Sequence, residues 1–270
     1  MGRHCSLGSY PVLQNHCYCD DNSDPILSVR KVSLLLQTCN TAINEVVTDT
    51  RFHVQDGIIS IEVQCGTFYN GKIYPNTVRW NTDDRRYTRG NHPNHVVLSA
   101  TLRSFNLDDI LLPDGEFVTG VKLERFTDNH LVLAIQGTQM YDSNNRIISG
   151  QTTLRYPQST GYTRVNINVY QLPAPQDLNI QTYEMSQSGY HYIDLITSKW
   201  SDKYTGNAVM PFLDMQPVNL SPPVPLGRLG LFYKSQPGYG GFLAFKHISP
   251  KFMHFISEYY VYKLTTASPA

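Results

Sequence analysis

The chain carries a degraded copy of part of itself, and that repetition constrains its architecture more than any other feature. Val46-Val47-Thr48-Asp49-Thr50-Arg51-Phe52 is answered 71 residues later by Phe117-Val118-Thr119-Gly120-Val121-Lys122-Leu123. Each run leads through a short polar turn into an apolar strand. In the first copy this is Ile59-Ser60-Ile61-Glu62-Val63-Gln64; in the second it is Leu131-Val132-Leu133-Ala134-Ile135-Gln136, where the offset has grown to 72. One added turn residue reconciles the two, as a duplicated hairpin requires. A third pair of runs fits without a gap: Gly230-Leu231-Phe232-Tyr233 falls on Gly120-Val121-Lys122-Leu123, and Phe242-Leu243-Ala244-Phe245 on Val132-Leu133-Ala134-Ile135, both 110 residues on. Three related hairpins predict a β-prism, whereas a single duplication predicts a sandwich or a pair of them.

Local patterning agrees with strands throughout. Arg51 to Val54 and Ile58 to Gln64 flank Asp56-Gly57, a dipeptide that tolerates positive φ and suits a tight hairpin. Val118 to Arg125 and His130 to Gln139 flank Thr127-Asp128-Asn129. Further period-two runs occur at Val96 to Leu102, Val165 to Val169 and Tyr190 to Leu195, while the one helical stripe, Leu107 to Leu112, is too short to build on. The expected fold is all β, with pseudo-repeated Greek-key sheets in a β-prism-like arrangement, one or two β-sandwiches being the alternative. Residues 1–26 read as an irregular cysteine-bearing tail and residues 27–270 as a single domain. Pro173 and Pro175 offer an alternative split near 173–178, and Ser221-Pro222-Pro223-Val224-Pro225 marks a second connection, since proline cannot donate to a ladder.

The composition removes several function classes. Lys plus Arg and Asp plus Glu both number 22, so the chain lacks the concentrated positive charge by which proteins hold nucleic acid or anionic membranes. Charged residues make up only 16%, against about 25% in an average soluble domain, and 18 tyrosines with many uncharged polar residues take their place. Such a surface suits a secreted β protein. No run approaches the roughly 20 apolar residues of a membrane helix, and Met1 to Ser9 lacks the apolar stretch of a signal peptide, so a secreted protein is expected here in mature or truncated form. All five cysteines, Cys5, Cys17, Cys19, Cys39 and Cys65, lie in the first quarter. Without metal spacing they read as disulfide candidates in an oxidising compartment, the odd one free or bonded to another chain.

The motifs that carry chemistry are few. His92 and His95 flank Pro93, which precludes a helical ligand pair, and Asp83-Asp84-Arg85-Arg86 reads as a solvated loop. No serine sits in a nucleophile elbow. Asp194 and Glu184 are the carboxylates best placed near aromatics, and both read as structural. Pro237-Gly238-Tyr239-Gly240-Gly241 lacks the Lys and Ser/Thr of a phosphate loop. A glycine-flanked tyrosine instead suits stacking on the apolar face of a sugar, which makes Gly238, Tyr239, Gly240 and Gly241 the candidate ligand-binding residues. Asn219-Leu220-Ser221 is the one N-glycosylation acceptor, disfavoured by Pro222.

Val46-Val47-Thr48, Val78-Arg79-Trp80, Phe117 to Leu123, Val209-Met210-Pro211-Phe212-Leu213-Asp214, Pro222-Pro223-Val224-Pro225-Leu226 and Gly238-Tyr239-Gly240-Gly241-Phe242 together resemble an arthropod family of secreted proteins known only as a domain of unknown function. The likeness spans about residues 15 to 250. It implies an extracellular protein with a longer N-terminal region and a signal sequence, and it carries no catalytic residues to transfer. The recurring Val-Thr-Gly-Val-Lys-Leu phrase is also similar to repeats of vitelline membrane outer layer protein, which implies a β-prism. The expectation is therefore a secreted, non-catalytic protein acting through its surface, as a matrix or carbohydrate-binding module, with a glycan or extracellular protein as partner. A glycan-active hydrolase with unrecognised carboxylates, or a self-assembling subunit, is the alternative. No cofactor, metal or catalytic residue is expected, nor nucleic acid or membrane insertion. A homo-oligomer or a disulfide-linked partner fits the odd cysteine.

Overall fold

A computed structural model describes residues 29–81, 94–140, 151–158, 161–167, 185–196, 210–218, 220–236 and 239–248, and the backbone of 5–8 and 16–19. The fold is all β. Three long hairpins organise it, one in each of the three larger sheets. β5 (Glu45–Gln55) and β6 (Ile58–Tyr69) turn at Asp56 and Gly57, whose φ values of 51° and 74° give a two-residue turn twisted like the strands it joins. β12 (Glu116–Arg125) and β13 (His130–Gln139) turn through the longer Phe126 to Asn129 loop, with only Asn129 at positive φ. The third hairpin joins β18 (Arg228–Gln236) to β19 (Tyr239–Ile248).

Shorter strands complete each sheet. β3 (Lys31–Ser33) runs parallel to the start of β6 and carries β9 (His95–Val97), while β7 (Lys72–Ile73) and β8 (Arg79–Trp80) line the end of β6. β10 (Ser104–Leu107) likewise runs parallel to the start of β13 and β14 (Thr152–Arg155) lies along its end. Beyond β10 come β16 (His191–Asp194) and β15 (Val165–Ile167), and β4 (Gln37–Thr38) closes the other side of β12. In the third sheet β11 (Asp109–Leu111) flanks β18, and β17 (Phe212–Leu213) runs parallel to β19. The sheets are thus mixed. The Leu107 to Leu112 stripe is no helix: the chain leaves the second sheet at Leu107 and enters the third at Asp109. The N-terminal tail, expected to be irregular, forms a two-stranded ladder of β1 (Cys5–Gly8) and β2 (His16–Cys19), with Cys5 opposite Cys19. The alternative split near 173–178 lies outside the described residues.

The three hairpins pair in one register. Phe52 faces Ile61, Leu123 faces Leu133 and Tyr233 faces Leu243. All six belong to one continuous core to which every large sheet contributes, and Phe52 meets Phe245 across two sheets with ring centroids 4.5 Å apart. Sheets that each hide one face must bury it against another element, and here three do so together.

The first two hairpins share a further device, a β-bulge at the fourth residue of their first strands. At Thr48 and Thr119 the register shifts, which releases backbone groups from the ladder. Leu226 takes both: its N–H donates to the Val47 carbonyl at 3.1 Å and its carbonyl accepts from Val118 N–H at 2.8 Å. The lead-in to the third hairpin therefore clamps the other two. Each bulged threonine lies against the glutamine opposite, Thr48 with Gln64 at 2.8 Å and Thr119 with Gln136 at 3.1 Å. Each strand also begins with a buried glutamate, Glu45 or Glu116, met by an arginine from the strand on the far side of its hairpin partner, Arg79 of β8 or Arg155 of β14. Cys39, just beyond β4, is disulfide-bonded to Cys65 in β6, so a covalent link joins the first and second sheets.

Candidate functional site

Alternation along the strands of the second sheet decides which side chains look outward. Phe105, Leu107, Leu131 and Ile193 are fully buried in the core, so Ser104, Asn106, His130, Tyr192 and Asp194 point the other way. Ile167 packs on the core, which turns Asn166 outward as well. Register then sets them in two rows. Ser104 lies between His130 and Asp194, and Tyr192 between Asn106 and Asn166.

These groups bond to one another. Ser104 Oγ donates to Asp194 Oδ1 at 2.6 Å and Asn166 Nδ2 donates to Asp194 Oδ2 at 3.0 Å. His130 Nδ1 lies 2.7 Å from Asn106 Oδ1 and 3.8 Å from Asp128 Oδ2. The His130 and Tyr192 rings are 4.5 Å apart. Ser104 gives its proton to a carboxylate and not to His130, which is not the pairing of an activated nucleophile. Asn166 Oδ1 is buried without a partner.

On β13 the residues of this side, Val132 and Ala134, are buried, and beyond them lies β12. Val121 and Leu123 belong to the core, so Lys122 and Glu124 face outward, and Tyr156, just beyond β14, donates to Glu124 Oε2 at 2.7 Å. Lys122 Nζ reaches the same oxygen at 2.7 Å, leaving Oε1 unbonded. Partial burial pushes the Glu124 carboxyl up, but Lys122 and Tyr156 outweigh it and hold the group below the usual range. Burial, and then the nearby carboxylate, push the Tyr156 phenol up to about 12. Tyr156 also packs with Phe126, the centroids 5.8 Å apart, and both rings are 38% exposed. Beside Tyr156 opens a shallow cleft of about 500 Å³, lined by Leu111, Leu112, Pro113, Leu154, Arg155 and Gln158. Arg155 is anchored bidentately by Glu116 at the edge of this cleft.

Of the candidates named from sequence, Gly238 and Glu184 lie outside the described residues, as do His92 and the Asp83 to Arg86 run. Tyr239 opens β19, its backbone opposite Gln236. Gly240 and Gly241 are buried packing residues: a Cβ on Gly240 would meet the Met210 carbonyl at 2.0 Å, and Gly241 has φ of 72° with Tyr233 Oη at 2.5 Å from its would-be Cβ. Tyr233 Oη donates to the Gly240 carbonyl at 2.8 Å, so this glycine pair serves the core. Cys39 and Cys65 are linked, and for Cys5, Cys17 and Cys19 only backbone is described. Asp194 is the one singled-out carboxylate that the structure places among aromatic and amide groups. Ser104, Asn106, His130 and Asn166 were missed, because they come together only through pairing of strands distant in sequence; period-two alternation was their sole signal.

Two other buried groups stand apart. His247 bridges the first and third sheets, its Nε2 2.8 Å from Thr50 Oγ1 and 3.5 Å from Asp49, with Nδ1 unpartnered; burial, partly offset by Asp49, holds its pKa low. Burial pushes the Asp108 carboxyl up despite Arg164 at 2.8 Å. No described group of three His, Cys, Asp or Glu is placed to hold a metal, and no described helix is long and apolar enough to cross a membrane. The chain matches no family model and no curated protein.

Proposed function

We propose that this protein is secreted and non-catalytic, and that it acts through its surface by binding a glycan. One observation carries the reading: the second sheet sets amide, hydroxyl, imidazole and carboxylate groups beside the half-buried ring of Tyr192, with the exposed rings of Phe126 and Tyr156 nearby, the mixture a sugar needs. Rings cover the apolar face of a pyranose, and polar groups already held by their neighbours meet its hydroxyls with little loss of side-chain freedom. The buried Cys39–Cys65 link favours an oxidising compartment, in line with the secreted family that the sequence resembles. The coincident registers of the three hairpins favour descent from one repeated unit.

A glycan array probed with oxidised, folded protein tests the reading, alongside non-reducing peptide mapping. Expected are specific hits among neutral glycans and a linked Cys39/Cys65 peptide. Signal at background for every glycan, from protein with that peptide intact, refutes it.

A further inference from the structure

We infer that the outer edge of β17 pairs with the same edge of a second copy of this chain, antiparallel and about a two-fold axis at Leu213, so that two third sheets join into one. The pairing goes beyond the glycan-binding reading and does not depend on it.

The three large sheets are built alike up to this edge. β3, β10 and β17 each run parallel to the start of a hairpin's second strand. Continuing those registers sets Leu34 beside Ile61 and Leu107 beside Leu133, as Leu213 lies beside Leu243, and all three leucines pack in the core. In the first sheet the antiparallel strand β9 covers the far side of β3, and Leu34 N–H donates to the Asn94 carbonyl at 2.8 Å. In the second, β16 covers β10, and the Leu107 carbonyl accepts from Gly189 N–H at 3.3 Å. In the third, no described strand pairs with β17 on that side. Asp214 N–H donates inward to the Leu243 carbonyl at 2.8 Å and the Met210 carbonyl lies against Gly240, so alternation turns the N–H and carbonyl of Leu213 to the edge.

The face leading to this edge is unlike its two counterparts. Leu231, Tyr233 and Leu243 are core residues, so Phe232 and Phe242 point outward, and Leu213 turns Phe212 outward in the same way. Where the first two hairpins carry Arg51 or Lys122 the third has Phe232, and where they carry Ser60 or Val132 it has Phe242. The rings form a row, Phe232 6.2 Å from Phe242 and Phe242 5.6 Å from Phe212. This row ends at the edge, with Phe212 55% and Met210 51% exposed. Edge strands are commonly guarded by charge, and Met210-Pro211-Phe212-Leu213 has none. Pro211, with no N–H to give, keeps any added ladder short.

A second copy meets both features at once. About a two-fold at Leu213 the two leucines exchange a reciprocal pair of N–H to carbonyl bonds, and Phe212 of each copy lies opposite Asp214 of the other. The two Phe212 residues then become diagonal neighbours at about 7–8 Å, within reach of aromatic rings, and the row continues across the axis. The contact is isologous and uses the edge completely, so it closes at two copies.

Sedimentation equilibrium of the oxidised full chain, from dilute to concentrated solution, tests this. The mass is expected to rise to twice that of one chain. Phe212→Glu sets like charge against Asp214 of the second copy and should raise the dissociation constant at least about tenfold, whereas Phe212→Lys meets that carboxylate with opposite charge and should raise it less. Hydrogen exchange on the unmutated protein reads the edge without any folding defect: the Leu213 amide should be protected in concentrated solution and exchange in dilute solution. A single-chain mass at every concentration, equal effects of the two substitutions, or a dimer held only by a cysteine disulfide overturns the inference. So does a Leu213 amide protected equally at both concentrations, the result expected if another segment of the same chain covers the edge.

Discussion

Truncating Phe52 to alanine tests whether three sheets share one core. The ring is wholly buried, faces Ile61, and lies 4.5 Å from Phe245 of the third sheet, in the cluster that includes Leu123 of the second. Removing it forfeits the transfer energy of the ring and leaves a void that three sheets cannot close together, for about 3–5 kcal/mol. The Phe52 and Phe245 ring contact accounts for about 0.5–1.5 kcal/mol of that, so a double-mutant cycle with Phe245→Ala should return a coupling of about 1 kcal/mol. Against a total stability of about 5–15 kcal/mol, the loss is large. Urea unfolding followed by far-ultraviolet circular dichroism and tryptophan fluorescence should show one transition, moved to lower urea by the same amount with both probes. Leu123→Ala should move that same transition by about 2–5 kcal/mol. Two separable transitions, with Phe52→Ala displacing only one and Leu123→Ala only the other, would refute a common core.

Other consequences can be measured in the same way. Replacing Cys39 and Cys65 with serine opens a loop of sequence separation 26 and should cost about 3.5 kcal/mol on the chain-entropy account; a midpoint unchanged in urea counts against the link. His247 is held below its ordinary 6.5 by burial, so as pH falls the unfolded chain takes up the proton first. Stability should decline below that value and level off only under the lower folded pKa. His247→Gln should remove this limb of the profile, and equal declines in both proteins between about pH 7.5 and 5.5 would sink the assignment. Gly241→Ala forces a side chain into φ of 72° and against Lys234 and Tyr233, and should cost at least about 1–2 kcal/mol. Gly240→Ala, whose Cβ meets backbone at Met210, should cost more, and a neutral effect at both positions would show that the glycines are not packing residues.

Much of the architecture was legible because it is local. Asp56-Gly57 announces its turn through tolerance of positive φ, and the alternating runs at Ile59 and Leu131 announce strands because side chains on a pleated backbone point to opposite faces in turn. The offset of 71 growing to 72 anticipated that the second hairpin turns through a longer loop. The placement of Phe52, Leu123 and Tyr233 also followed, since a shift of one residue would turn an entire apolar row to solvent. The bulges at Thr48 and Thr119 were not legible. A bulge depends on what claims the backbone groups it frees, and the claimant, Leu226, is more than a hundred residues away.

The candidate face divides the same way. Its residue types were in plain view, yet only Asp194 drew notice, because nothing in the spacing of 104, 130, 166 and 194 relates them. Gly240 and Gly241 show the converse. As a motif they read as an adaptable loop, whereas the close approach of Met210 and the Tyr233 hydroxyl makes them rigid. What the amino-acid sequence determined alone is therefore the β character, the hairpin registers and the side of each strand that is apolar, all consequences of nearest-neighbour geometry and burial. Which sheets meet, which cysteines join and which outward residues form one face were decided only in the tertiary structure, because they depend on contacts between segments whose approach no local preference encodes.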